Sequence, residues 1–268
     1  MKHDQLAFRD RYAAEGGLHW NEVIATQLRH RSVRSFLPDA LPLGTVQTLV
    51  AAASSAPTSS NVQAWSVIAV QDPARKSRIA QMAGGQKHIV DAPLLLVWVA
   101  DLSRHARVAE RRGQRLEAID FTETLLLASL DAALAAQNAL VAAESLGFGT
   151  VYIGALRNHP EELAAELGLP PHAYAVVGLV VGHPDPAVAT QVKPRLPQSA
   201  VLHLEQYDTG DAEAIVAHDA ATRAFRREQG LPDEGWSDLI LGRLGTVAAL
   251  KGRHILRDVL QRLGFAQK

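Results

Sequence analysis

A chain of 268 residues with 47% hydrophobic and 21% charged side chains has the balance of a globular protein with a substantial core. Its formal net charge of −1 offers no field that would recruit nucleic acid or an anionic membrane, so any phosphate affinity must come from local clusters of Arg and Lys. The absence of cysteine excludes disulfides, thiolate catalysis, zinc–thiolate sites and protein-ligated iron–sulfur clusters.

In chain order, residues 1–17 are polar and lack the apolar core of a signal peptide, so a cytoplasmic protein is expected. Residues 18–30 suggest a helix with Leu18, Val23, Ile24 and Leu28 on one side, and Pro42 precedes a second over 43–54. The Ser-rich stretch 54–61, with Pro57 and Thr58, reads as a loop. Trp65–Val70 reads as a strand, and Pro73 opens another helix at its first position. The apolar run Leu94–Ala100 is short enough for a fully buried strand. From about Glu117 to Leu146 the chain predicts one long Ala- and Leu-rich helix, apolar on nearly all sides and ended by Gly147. Glu123, Asp131, Gln137 and Asn138 interrupt it, which disfavours a membrane span and favours a helix covered on several sides, part of that cover coming from a second subunit. A short strand at Thr150–Ile153, a helix near Pro160–Leu167 and a buried strand at Tyr174–Gly182 follow. Residues 211–229 and 236–264 read as a more charged helical extension. The alternation of strands and helices indicates an α/β or α+β sandwich. The expected organisation is an N-terminal extension (1–20), a core (21–200) and a C-terminal helical extension of the same fold (201–268).

Five segments carry possible chemistry, and each also has an ordinary structural reading. In His30-Arg31-Ser32-Val33-Arg34, Arg31 and Arg34 would share a face on a helical turn, with the planar fork that suits phosphate; the same residues would equally finish a helix C-terminus. Lys193-Pro194-Arg195-Leu196-Pro197 holds two cations on a stiff turn, or is an exposed loop. Ser59-Ser60-Asn61-Val62-Gln63 offers hydroxyl and amide groups to the edge of a heteroaromatic ring, or uses them for turn formation. Gly84-Gly85-Gln86-Lys87-His88 permits close backbone approach to a ligand, or caps a helix. Gly147–Ala155 ends a strand in small residues that leave room for a flat ring, or simply packs. No nucleotide-binding glycine fingerprint, P-loop, zinc-protease motif or nucleophile elbow is present, and the eleven histidines have no metal spacing. With no evident nucleophile or acid–base pair, a cofactor that performs the chemistry itself is the attractive reading.

These segments in this order, together with Gln137–Gly147, Val151–Asn158 and Trp236-Ser237-Asp238, resemble the nitroreductase family, in its NADPH-dependent branch. The resemblance implies an α+β sandwich with a mainly antiparallel central sheet flanked by helices, and a homodimer with FMN in interfacial sites. It assigns Arg31, Ser32, Lys193 and Arg195, with His30 nearby, to the FMN phosphate, and Arg34 and Gln86 to the pyrimidine edge of the ring. Ser59, Ser60 and Gln63 would contribute from their loop. Gly154 would offer its N–H to flavin N5, with Tyr152, Ile153 and Ala155 lining the ring; Ala155 stands where close relatives commonly have a second glycine. Arg227 would meet the 2′-phosphate of NADPH, with Arg223 and Arg226 close by and NADH a possible alternative. The implied activity is ping-pong, two-electron (hydride) reduction of small aromatic oxidants such as nitroaromatics, quinones or flavins, with flavin N5 rather than a side chain as the reacting centre. Other uses of the same fold are a specialised reduction such as reductive dehalogenation, and a flavin-binding redox sensor with little turnover.

Overall fold

The computed structural model describes residues 8–12, 19–265 and 268, so Leu18 and most of the 1–20 extension lie outside the described residues. Its elements are α1 (Glu22–Leu28), α2 (Thr45–Ser54), β1 (Trp65–Val70), α3 (Pro73–Met82), α4 (Lys87–Asp91), β2 (Leu94–Asp101), α5 (Ser103–Arg111) and α6 (Thr122–Ser145). They are followed by β3 (Gly149–Ile153), α7 (Pro160–Leu167), β4 (Ala173–Gly182), α8 (Ala212–Glu228), α9 (Trp236–Leu244) and α10 (Leu256–Arg262). The chain groups into two compact units, one of residues 1–31 and 190–251, the other of residues 32–189 and 252–268.

The second unit is built on a four-stranded sheet in the order β1-β2-β4-β3, with every neighbouring pair antiparallel. β2 lies at its centre and is buried along its whole length, which explains its uninterrupted apolar sequence. Its side chains divide by alternation. Leu94, Leu96 and Trp98 pack with Leu49 and Ala53 of α2 and with Ala135, Ala136, Ala139 and Leu140 of α6. Leu95, Val97 and Val99 face the opposite core, with Ile79 of α3, Ile89 of α4 and Leu163 of α7. Helices on both faces of an antiparallel sheet make this an α+β sandwich.

Strand boundaries match the sequence reading to within a residue, because burial and β-branching coincide there. The helices differ more. The long helix starts at Thr122, with a separate 3₁₀ turn over Glu117–Asp120. The expected 236–264 helix is broken into α9, two 3₁₀ turns and α10, with Lys251 and Gly252 in left-handed conformations at the break. α4 and α5 were not anticipated, being short and polar. Phe265, close to the C-terminus, is fully buried with Ala64, Ala100, Ala128 and Tyr174, so residues 252–268 complete the core of the second unit.

α6 is long and apolar enough to cross a membrane by length and composition alone. Its alanine face packs on the sheet, however, and Asp131 is buried in mid-helix as a hydrogen-bond hub. Its opposite side leaves Leu126, Leu130 and Leu134 half-exposed, at 53%, 62% and 43%, in an i, i+4 stripe.

Candidate functional site

The basic segment at 30–34 is not helical. α1 ends at Leu28, and residues 32–36 run extended, with Ser32 bridging Thr150 in parallel fashion and Phe36 bridging Pro184. The expectation that Arg31 and Arg34 share a helical face is therefore wrong: pairing to β3 has displaced the helix. The close approach is permitted by Gly149, where a Cβ would stand 2.9 Å from Val33 and 3.0 Å from Pro184. The pairing sets Ser32 beside the start of β3, the strand that leads to Gly154.

Arg34 is exposed and lies near His88 at the start of α4. Burial lowers the His88 pKa, and the Arg34 guanidinium lowers it further against the opposing pull of Asp91, so this imidazole is neutral at neutral pH. Gly84 and Gly85 have φ of 81° and 75° and donate to Gln81 and Ala80 carbonyls, so the pair is the C-cap of α3, the ordinary reading of that motif. The cap still serves the site, because it turns the chain into Gln86. The Gln86 amide donates to the Ala83 carbonyl at 2.9 Å, which fixes the side chain against the end of α3. A Cβ on Gly84 would lie 3.8 Å from the Asn158 amide nitrogen, so this cap adjoins the 3₁₀ turn Gly154–Asn158. Arg34, Gln86 and Gly154 thus fall within one region of the second unit.

Gly154 follows Ile153, the last residue of β3 paired with β4. Its φ is not positive, and the nearest atom to an added Cβ would be the Arg157 guanidinium, which is held on the Val176 carbonyl, at an ordinary contact distance of 3.4 Å. Neither conformation nor internal packing requires glycine there, whereas a flat ring laid against the backbone would. Two buried polar atoms in the same region, His88 Nε2 and Asn158 Oδ1, have no hydrogen-bond partner among the described residues. A heteroaromatic ring with donors and acceptors on its edge fits this set. The Ile153 side chain, 1% exposed, points into the core, so only its backbone can face a ligand. Tyr152 projects to the other face, its hydroxyl 3.4 Å from Gln137, and burial with the nearby Glu144 raises its pKa so that it stays protonated. Ala155 is partly buried against the core that holds the Ile153 side chain.

The loop carrying Ser59, Ser60 and Gln63 is exposed and strained: Ser60, Asn61 and Gln63 have φ of 49°, 54° and 53°. It is held from below by Asp131 of α6. One Asp131 oxygen accepts from the Ser59 N–H at 3.0 Å; the other accepts from the Thr58 hydroxyl at 2.6 Å and the Ala64 N–H at 3.0 Å. Thr58 in turn accepts from the Gln63 N–H at 2.9 Å. Asp131 was visible in the sequence only as a polar interruption of an apolar helix. A second residue not anticipated is Lys76, a buried lysine on α3 whose ammonium donates to the Val90 and Ala92 carbonyls at the end of α4. Burial lowers its pKa, opposed by Asp91 and Asp72.

In the first unit, Arg31 is exposed and its Nε donates to the Thr190 hydroxyl at 2.9 Å, which sets it against the segment leading to Lys193 and Arg195. Both of these cations are exposed, and His30 is partly buried. Arg195 lines a cavity of about 700 Å³ together with Phe8, Tyr12, His218 and Trp236. His218 is buried and its pKa is lowered first by desolvation, leaving it neutral. The arginines at the end of α8 are all paired. Arg223 reaches Asp238 and the Asp233 carbonyl, Arg226 reaches Glu234 and the Pro232 carbonyl, and Arg227 meets the Asp233 carboxylate, at 3.2 Å. Arg227 is also the most exposed of the three, hence the readiest to turn toward an incoming anion. No group of His, Asp or Glu suited to a metal ion occurs among the described residues.

Residues 28–183 match the Nitroreductase family and residues 193–268 match the Nitroreductase family, C-terminal domain. The chain is 39% identical over 251 residues to the FMN reductase (NADPH) of Bacillus subtilis, covering 91% of this chain and 98% of that protein. A nitroreductase of B. subtilis of solved structure superposes with a TM-score of 0.86 at 37% identity, over 92% of this chain and all of the other. The NADPH:FMN oxidoreductase of Vibrio harveyi, solved in complex with NAD+, superposes with a TM-score of 0.82 at 35% identity, again over 92% of this chain and all of the other. By its near-complete match in sequence and in fold, the chain belongs to the nitroreductase family.

Proposed function

We propose that this protein is an FMN-dependent NADPH oxidoreductase that reduces small aromatic oxidants, nitroaromatics, quinones or flavins, as a homodimer. The observation that carries the reading is the end-to-end similarity to proteins named as NADPH-dependent flavin reductases. The glycine at 154, which nothing inside the protein requires, supports it.

When bound, FMN supplies two-electron chemistry, taking hydride from NADPH and passing it to the oxidant. The protein's part is to hold and bias it. Arg31, Ser32, Lys193 and Arg195 are assigned to the phosphate, where planar guanidinium forks give paired, charge-assisted bonds. Arg34 is assigned to the pyrimidine edge, where its fixed positive charge favours the reduced, more negative state. Gly154, with the backbone of Ile153 and with Ala155, is assigned to bound the reacting face, and Ser59, Ser60 and Gln63 are assigned to contribute from their braced loop across the dimer. Arg227 is assigned to the 2′-phosphate that distinguishes NADPH from NADH. The leucine stripe on α6 supports the dimer, because an i, i+4 row of half-exposed leucines is what a partner helix buries.

Steady-state kinetics with NADPH and a quinone test the reading. Parallel double-reciprocal lines are expected, since one face must release NADP+ before the oxidant enters. Intersecting lines would contradict this shared-face account, and reduction without turnover would make the protein a redox sensor.

A further inference from the structure

Residues 1–27 lie outside both family matches, yet one of them reaches the basic segments assigned to the phosphate. Arg11, in the helical residues 8–12, is only 5% exposed. Its Nε and Nη2 donate to the Leu28 carbonyl at 3.1 and 2.9 Å, and Nη2 also donates to the His30 carbonyl at 2.7 Å. The Leu28 carbonyl is one of those that the last turn of α1 leaves without an intrahelical partner, so a guanidinium there caps the helix and complements its dipole. The carbonyl of Arg11 itself accepts from the Arg195 N–H at 2.9 Å. A single buried residue therefore grips the backbone on both sides: the segment entering Arg31, and Arg195 on a segment more than 160 residues further along the chain.

Arg31, Lys193 and Arg195 are like charges, and gathering them opposes their mutual repulsion until an anion arrives. Flexible cations would have to be ordered at the moment of binding, whereas backbone anchoring removes that cost beforehand. We propose that Arg11 is a positioning residue for the FMN phosphate, fastening the His30-Arg31 and Lys193–Arg195 segments together so that their cations meet the phosphate preorganised. The proposal rests on the FMN reading and goes beyond it, giving the N-terminal extension a task in cofactor binding.

Riboflavin carries the same ring without the phosphate, so the ratio of FMN to riboflavin affinity isolates the phosphate contribution. Full-length apoprotein, wild type and Arg11→Ala, is titrated with each ligand by flavin fluorescence, with Arg195→Ala measured alongside as outright removal of a phosphate contact. Wild type is expected to prefer FMN strongly. Arg11→Ala is expected to weaken FMN by about tenfold or more, the loss of roughly one charge-assisted bond, and to change riboflavin by less than about twofold. Equal weakening of both ligands, or an unchanged ratio, overturns the role of Arg11 while leaving the FMN reading intact. A wild-type protein that does not distinguish the two ligands overturns the phosphate assignment and this proposal with it. If Arg11→Ala yields no folded protein, Arg11→Met is titrated instead; it keeps an apolar stem of similar length but has no donor for either carbonyl, and a wild-type ratio in that variant counts equally against the proposal.

Discussion

Replacing Asp131 with Ala is expected to lower the stability of the protein by about 3–4 kcal/mol and to strip it of bound flavin. The carboxylate is 2% exposed and accepts three hydrogen bonds, from the Thr58 hydroxyl and from the Ser59 and Ala64 N–H groups. A bond to a charged acceptor is worth about 1.5–3 kcal/mol, and alanine leaves two backbone donors without their acceptor. The same bonds hold three non-glycine residues in left-handed conformations, each disfavoured by on the order of 1 kcal/mol, so the loop relaxes once they are gone. Ser59, Ser60 and Gln63 then leave their positions. Asp131→Asn keeps one acceptor but turns an amide toward the remaining donors, so an intermediate loss is expected. Thermal unfolding is the check: a fall of roughly 10 °C for the alanine variant agrees. A variant melting with wild type and retaining its flavin would remove Asp131 from this role.

The second large effect is expected at the surface of α6. Leu130→Arg places a guanidinium in the middle of the stripe formed with Leu126 and Leu134. Burying a leucine side chain contributes about 1.5–3 kcal/mol, and a twofold interface repeats each gain and each loss. In the proposed homodimer the substitution therefore enters twice and should weaken association by several kcal/mol, on the order of a thousandfold. Since the core of the subunit does not use this face, the variant should fold as a monomer, and if the proposed FMN sites are interfacial it should also lose the cofactor. Sedimentation velocity together with flavin content separates the outcomes. A variant that remains dimeric and yellow would show that another surface makes the dimer.

Much of the fold was legible because the sheet is built from runs whose chemistry has one explanation. Leu94–Ala100 admits little besides a central strand, and Pro73 and Pro160 mark helix starts that the structure reproduces. Where the sequence misled, a tertiary contact had overridden a local preference. Arg31 and Arg34 sit on what propensity makes a helix end, but Ser32 pairs with Thr150, and the space left by Gly149 permits it. The Gly84-Gly85 pair proved to be a helix cap that aims Gln86, so both of its readings have a part in the structure. Asp131 and Lys76 were not recognised as structural because a buried charge is identified by its partners, here backbone groups far away in the chain. Arg11 is the extreme case. Nothing around it suggests a role, and its meaning comes only from the carbonyls of Leu28 and His30 that it reaches.

The most direct test of the account is an anaerobic titration of the purified, FMN-reconstituted protein, followed by its visible absorption. NADPH is expected to bleach the bound flavin at about one equivalent per site, far faster than NADH does, and a quinone or nitroaromatic should restore the oxidised spectrum. Bound FMN that stays oxidised in the presence of stoichiometric NADPH would contradict the assignment of this protein as an NADPH-dependent flavin oxidoreductase.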